Sequence, residues 1–118
     1  RKSIGVEHTY PDDIADKAVL LDKTQELSIE VWEKASKLNK AGRCLTLKVK
    51  LHNFQIITRS LSLDSIISSQ EHIFTCAKIL LNRLIQQHPN KIHVRLLGIT
   101  LSNLIPTSVT NAQLELEL

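Results

Sequence analysis

The chain has 118 residues, enough for one domain with one hydrophobic core, and 42% of them are hydrophobic, which excludes an intrinsically disordered chain. No apolar run approaches the length of about 18 residues that crosses a bilayer, and no secretory signal is visible, so we expect no membrane partner. The net charge of +3 is modest, and its distribution along the chain is more informative than its size.

Two further features of the composition bear on context. The sequence contains no methionine and opens on Arg1, so we expect it to be a piece of a longer protein. Cys44 and Cys76 lie far apart within apolar segments, which favours buried free thiols in a reducing compartment.

The first two predicted elements are a short strand and a helix. Ile4 and Val6 alternate with polar residues in segment 1–10, which predicts a strand that is broken at residues 11–13, Pro-Asp-Asp. From about residue 16 to residue 39, apolar residues recur three and four positions apart, which predicts an amphipathic helix. The positions of this stripe are Leu20, Leu27, Val31, Ala35 and Leu38.

The stretch from Arg43 to Leu63 carries the clearest pattern. Hydrophobic residues occupy every second position of its first half, and Lys48 and Lys50 fall between them. Strict alternation is typical of a half-buried strand, which would have one apolar face and one basic face. Residues 52–54 contain a turn former, and the chain is again rich in β-branched residues over 56–63. Together these features predict a β-hairpin.

A second helix and a last strand complete the predicted domain. Ser68 and Glu71 match a capping box, and helical spacing then continues to a predicted end near Gln87. Segment 91–104 is extended in character. Its alternation is disturbed at residues 97–98, Leu-Gly, where we expect a bulge or a close backbone contact.

The element order is therefore β-α-β-β-α-β, a split βαβ, ferredoxin-like α+β arrangement. Each helix has one apolar stripe and each strand one apolar face. The simplest packing is a four-stranded sheet with both helices on one face, which leaves the other face in water. We expect this domain to occupy residues 1–105 and a flexible tail to occupy residues 106–118.

The charges are distributed unevenly. The four predicted strands hold eight of the 15 basic residues and one of the 12 acidic residues, which indicates a surface that binds a polyanion. Aromatic residues make up 3% of the chain and none lies mid-strand in the polar register, which disfavours base stacking with single strands. Lysine, arginine, serine, threonine and glycine on extended backbone instead favour the phosphates of a duplex.

Catalytic patterns are missing from the sequence. The five histidines lack metal-ligand spacing, and no C-x-x-C, phosphate-binding glycine loop or G-x-S-x-G is present. We therefore expect no enzyme active site and no cofactor within this chain.

Four blocks of sequence, at 1–7, 45–50, 57–60 and 95–99, together resemble the little-finger domain of bacterial Y-family translesion DNA polymerases of the polymerase IV type. The resemblance covers essentially the whole chain. It implies a cytoplasmic domain that holds primer–template duplex while catalysis, with two Mg²⁺ ions, takes place in a separate palm domain of the same polymerase. The residues that match the family's DNA-contacting motifs are Lys2, Ser3, Gly5, Thr58, Arg59, Ser60, Arg95 and Gly98; the alternation adds Lys48 and Lys50.

The tail is a second candidate site. Its last six residues form the pattern Q-L-x-L-x-L, and a short apolar segment after a polar linker is typical of a peptide that docks into a partner's pockets. The alternative is a fifth strand of the same sheet. The family resemblance implies that the tail binds the bacterial sliding clamp through Gln113, Leu114, Leu116 and Leu118.

Two other readings of the residues stay open at this point. One is a ferredoxin-like regulatory or dimerisation module whose sheet pairs with another subunit or binds a small anion. An apolar outer face, with Lys48 and Lys50 turned inward, would favour this module. The other is a structural spacer.

Overall fold

The computed structural model describes residues 3–88 and 90–107. The predicted α+β order β-α-β-β-α-β is confirmed, and a two-residue strand follows it. The elements are β1 (Ser3–Ile14), α1 (Lys17–Lys37), β2 (Lys40–Leu51), β3 (Ile56–Ile67), α2 (Gln70–Gln87), β4 (Val94–Ser102) and β5 (Ile105–Pro106).

The four long strands form an antiparallel sheet in the order β1-β4-β2-β3. Strand β2 is flanked on both sides, so that Leu47 lies opposite Ile99 of β4 and opposite Arg59 of β3. The short strand β5 pairs with the start of β2. Strands β1 and β3 are therefore the edges of the sheet, and β2 fixes the register of the strands around it.

Both helices pack on one face of the sheet, as the amphipathic patterns predict. Leu45, Leu47 and Val49 of β2 are completely buried, in one core with the apolar sides of α1 and α2. Full burial of a leucine side chain stabilises the fold by roughly 1.5–3 kcal/mol, so this alternation sets which face the helices cover. None of the helices described is long and apolar enough to cross a membrane.

Helix α1 packs closely on the sheet because its buried hydroxyl groups are satisfied within the helix. Thr24 and Ser28 are fully buried, and their hydroxyls donate to the carbonyl oxygens of Leu20 and Thr24 at 2.7 and 2.8 Å. The helix begins after Asp16, whose carboxylate accepts from two backbone amides of the first turn.

Tyr10 lies on the helix side of β1 next to acidic residues of α1. Its hydroxyl oxygen is buried and has no hydrogen-bond partner among the described residues. Burial raises the pKa of Tyr10 to about 12, and the negative charges of Glu26 and Glu30 act in the same direction. The phenol therefore stays neutral at physiological pH.

The first strand is longer than the sequence predicts. It continues through Pro11 to Ile14, with an irregular register between Thr9 and Ile14. Because β1 is an edge strand, a proline that lacks a backbone N–H leaves no ladder hydrogen bond unmade on the solvent side. The prediction that residues 11–13 break the strand is wrong for this reason.

Two local predictions also need correction, and the structure decides between the alternatives of a third. The N-cap of α2 is Ser69, whose hydroxyl accepts from the backbone amide of His72 at 3.0 Å, and not Ser68. Of the two features expected at residues 97–98, the close contact is found, since a Cβ at Gly98 would lie 3.0 Å from the Cβ of Glu7, whereas the bulge of β4 falls at Arg95. Cys76 is buried as expected, whereas the free thiol of Cys44 is only half-buried. The predicted end of α2 at Gln87 is confirmed.

The cap assignment can be tested with two neighbouring serines. Ser69→Ala should lower the free energy of unfolding by about 1 kcal/mol, because the amide of His72 loses its side-chain acceptor. Ser68→Ala should change it by less than about 0.5 kcal/mol. Urea denaturation of both variants is the measurement, and equal losses would contradict the assignment.

Candidate nucleic-acid interface

Alternate residues of the four strands form the face of the sheet that the helices do not cover. The strand register aligns these residues in four rows, and we call the surface that they form the open face. In the order β1, β4, β2, β3 the rows are Ser3, Ser102, Cys44 and Ser62; Gly5, Thr100, Thr46 and Ser60; Glu7, Gly98, Lys48 and Thr58; and Thr9, Leu96, Lys50 and Ile56.

The first two rows of the open face consist of small, mostly polar side chains that project little from the sheet. The hydroxyls of Thr46 and Ser60 lie 2.7 Å apart, and the thiol of Cys44 lies 2.8 Å from the hydroxyl of Ser62. These cross-strand hydrogen bonds satisfy the polar groups without projecting charge or bulk. A ligand laid along this part of the face can therefore come close to the peptide backbone.

Two glycines deepen the centre of the face. A Cβ atom at Gly5 would come within 2.9 Å of the hydroxyl oxygen of Thr100, and one at Gly98 within 3.0 Å of the Cβ of Glu7. The resulting depression has a volume of about 330 Å³, and Lys48 lines its wall. No larger residue fits either glycine position without displacing its cross-strand neighbour.

The charges of the open face are less one-sided than the sequence suggests. Lys48 Nζ lies 3.2 Å from Glu7 Oε2, so the single acidic residue in the predicted strands neutralises a central lysine. Lys50 forms no ion pair within the described part of the chain. The excess positive charge of the face thus lies at the end of the β2–β3 hairpin, and not at the centre of the sheet.

The structure brings most of the predicted DNA-contacting residues onto one surface. Ser3, Gly5, Lys48, Lys50, Thr58, Ser60 and Gly98 all belong to the open face. Arg95 lies beside its hairpin end, next to Phe54. Lys2 and the predicted clamp-binding residues Gln113, Leu114, Leu116 and Leu118 lie outside the described residues.

Arg59 is placed differently from its two neighbours. It lies opposite Leu47, on the side of the sheet that carries the helices, and its Nε donates to Gln87 Oε1 at 2.8 Å. Consecutive residues of a strand point to opposite faces, so Thr58, Arg59 and Ser60 cannot all line the open face. Its contact with DNA stays a prediction, and any such contact would come from the edge of the sheet.

Sequence reasoning missed one prominent residue of this region. The side chain of Phe54, in the β2–β3 turn, is 63% exposed, and the cationic groups of Lys50 and Arg95 lie near its ring. The sequence argument against base stacking concerned aromatic residues in the middle of strands, and it left out the β2–β3 turn. An aromatic residue directly after a turn-forming asparagine was the signal available in the sequence.

The described residues contain no group of three or more histidine, cysteine, aspartate or glutamate side chains that could hold a metal ion. The Mg²⁺ that the family resemblance implies concerns a separate palm domain, and it stays an expectation.

Comparison with known proteins places the chain in a family. The model of the impB/mucB/samB family C-terminal domain matches residues 1–116, and the chain belongs to this family. DNA polymerase IV of Clostridium perfringens (strain 13 / Type A) is 40% identical over 116 residues, which are 98% of this chain and 32% of that protein. The chain thus spans about a third of the length of such curated relatives.

Solved structures of Y-family polymerases share the fold. A Y-family DNA polymerase chimera of Dbh and Dpo4 matches with a TM-score of 0.78 and 24% identity, over 90% of this chain and 29% of that chain. The complex of the beta-clamp processivity factor and the little finger domain of PolIV matches with a TM-score of 0.69 and 20% identity, over 88% and 90% respectively. The predicted little-finger fold is confirmed.

Proposed function

We propose that this chain is the non-catalytic duplex-DNA-binding domain of a translesion DNA polymerase of the polymerase IV type. Its open face would grip the phosphate backbone of the primer–template, while the catalytic carboxylates and their Mg²⁺ lie in other domains of the same polymerase. The observation that carries this proposal is the composition of the open face. Its rows of small polar residues allow close approach, and two cations lie at one end: Lys50, which has no ion pair among the described residues, and Arg95, whose Nε is 4.0 Å from Asp13.

The dimerisation alternative finds less support. Sheet-to-sheet pairing needs an apolar outer face, whereas serine, threonine and glycine dominate the first two rows of the open face. Lys48 and Lys50 lie on that face and are not turned towards the core. Phosphate contacts fit such a surface better than a second copy of the same sheet does.

Duplex binding should be weak, independent of sequence and strongly dependent on salt. If about 4 phosphates are neutralised, a plot of log K against log salt concentration should have a slope near −3.6. Fluorescence anisotropy with two unrelated duplexes at several salt concentrations measures this slope. Affinity that does not respond to salt, or that differs markedly between the two duplexes, would contradict the proposal.

The ion pair on the open face predicts a gain of affinity. Glu7→Gln should tighten duplex binding about two- to fivefold, because Lys48 is released to a phosphate and a repelling carboxylate is removed. Glu33→Gln, which makes the same change of charge on the exposed side of α1, is the matched control and should have little effect. Equal gains of affinity for both variants would contradict this prediction, because they would show that only the net charge of the chain affects binding.

We also propose that residues 113–118 dock on a bacterial sliding clamp. The apolar positions of the Q-L-x-L-x-L pattern support this proposal, and a solved structure with the same fold is a complex with a beta clamp. The tail would recruit the polymerase to the clamp while the open face holds the duplex.

Paired substitutions in the tail test the docking proposal. Replacing Leu116 and Leu118 together by alanine should weaken binding to a bacterial sliding clamp at least tenfold, because both apolar anchors are lost. Replacing Glu115 and Glu117 by alanine should preserve binding or strengthen it. Surface plasmon resonance on immobilised clamp measures both, and unchanged affinity of the leucine variant would end the docking proposal.

A further inference from the structure

Phe54 is held in an unfavourable backbone conformation on the surface. Its φ angle is +69°, which is rare for a bulky residue without a structural or functional cause. The turn around it is well bonded, since the amide of Phe54 donates to the carbonyl of Leu51 at 2.9 Å and that of Gln55 to the side chain of Asn53 at 3.1 Å. The backbone of the turn is therefore well defined, and it presents the ring of Phe54 to solvent.

Two cations lie near this ring, Lys50 from the open face and Arg95 from beside it. The guanidinium carbon of Arg95 lies 4.6 Å from the ring centroid, and Lys50 Nζ lies 5.7 Å from it. Both distances are within the range of about 6 Å over which a cation is attracted by an aromatic ring. The two cations come from different strands, so the ring links the hairpin to β4.

The position of Arg95 depends on the irregularity in β4. Val94 pairs with Leu51 and Leu96 pairs with Lys50, which makes Arg95 the extra residue of a bulge. A bulge redirects a side chain, and here it brings Arg95 to Phe54. Nε of Arg95 is buried, has no hydrogen-bond partner among the residues that the structure describes, and lies 4.0 Å from Asp13 Oδ1.

The charge at this point is not balanced. Lys50 has no ion pair among the described residues, and Arg95 forms a long ion pair with Asp13 at 4.0 Å, so one net positive charge remains at this point. Two cations beside one exposed ring, with a single carboxylate near them, attract an anion. A phosphate group is the anion that fits, because an ordered guanidinium offers it two parallel donors.

We propose that Phe54 is a positioning residue that assembles Lys50 and Arg95 into a two-cation phosphate site at the hairpin end of the open face. This inference rests on the proposed function, of which it defines one contact. Phe54 acts through the cations and not by stacking on a base. Ordering the two long side chains before binding lowers the entropy lost when the phosphate binds.

A double-mutant cycle on duplex binding tests this role. Phe54→Leu keeps an apolar side chain but removes the ring, and should weaken duplex binding about two- to fivefold. In the Arg95→Ala, Lys50→Ala background, Phe54→Leu should have no further effect, because the groups through which it acts are gone. Phe54→Tyr, which retains the ring, should bind like the unmodified chain, and thermal unfolding of each variant checks that it is folded.

The other outcomes are distinguishable. An equal loss from Phe54→Leu in both backgrounds, or a loss seen only with a duplex that carries a single-stranded overhang, would overturn the inference and indicate direct contact between the ring and DNA. A normal affinity for Phe54→Leu would overturn it as well, while the proposed function would stand. If the unmodified chain binds no duplex at any salt concentration, the proposed function fails, and this inference fails with it.

Discussion

The alternation along β2 is the constraint on which the rest of this structure depends. Its apolar residues bury one side of the sheet under both helices, and its polar residues form the middle of the other side. Because side chains alternate along a strand, a slip of one residue would move Leu47 to the water and Lys48 into the core. The burial of Leu45, Leu47 and Val49 prevents that slip, so the packing of the core also determines which groups face a ligand.

The open face produced in this way combines a region of small polar residues with a group of cations at one end. Small residues such as Thr46 and Ser60 form hydrogen bonds with each other, and together they make a polar surface without bulky side chains. Lys50 and Arg95 lie at the hairpin end, and the carboxylate of Asp13 offsets only one of their two charges, whereas Glu7 neutralises Lys48 at the centre. Under the proposed function, such a face would contact a backbone of repeated phosphates without reading bases.

Fold and faces could be predicted from the sequence because periodicity reports burial directly. The contacts between strands could not, since they depend on register. Glu7 and Lys48 are 41 positions apart in the sequence, but both lie opposite Gly98 of β4 and form an ion pair. A count of charges along the sequence therefore overestimated the positive charge of the surface. Arg59 shared a motif with Thr58 yet lies on the opposite side. The contact between Phe54 and Arg95 could not be predicted either, because it depends on the bulge in β4.

Nuclear magnetic resonance would test the two-faced sheet most directly, by following backbone amide shifts as a short DNA duplex is added to the ¹⁵N-labelled chain. The account predicts shifts along the strands of the open face and in the β2–β3 turn, strongest near Lys50, and small changes on the outer sides of α1 and α2. Shifts centred on the helices, with the strands unaffected, would contradict it.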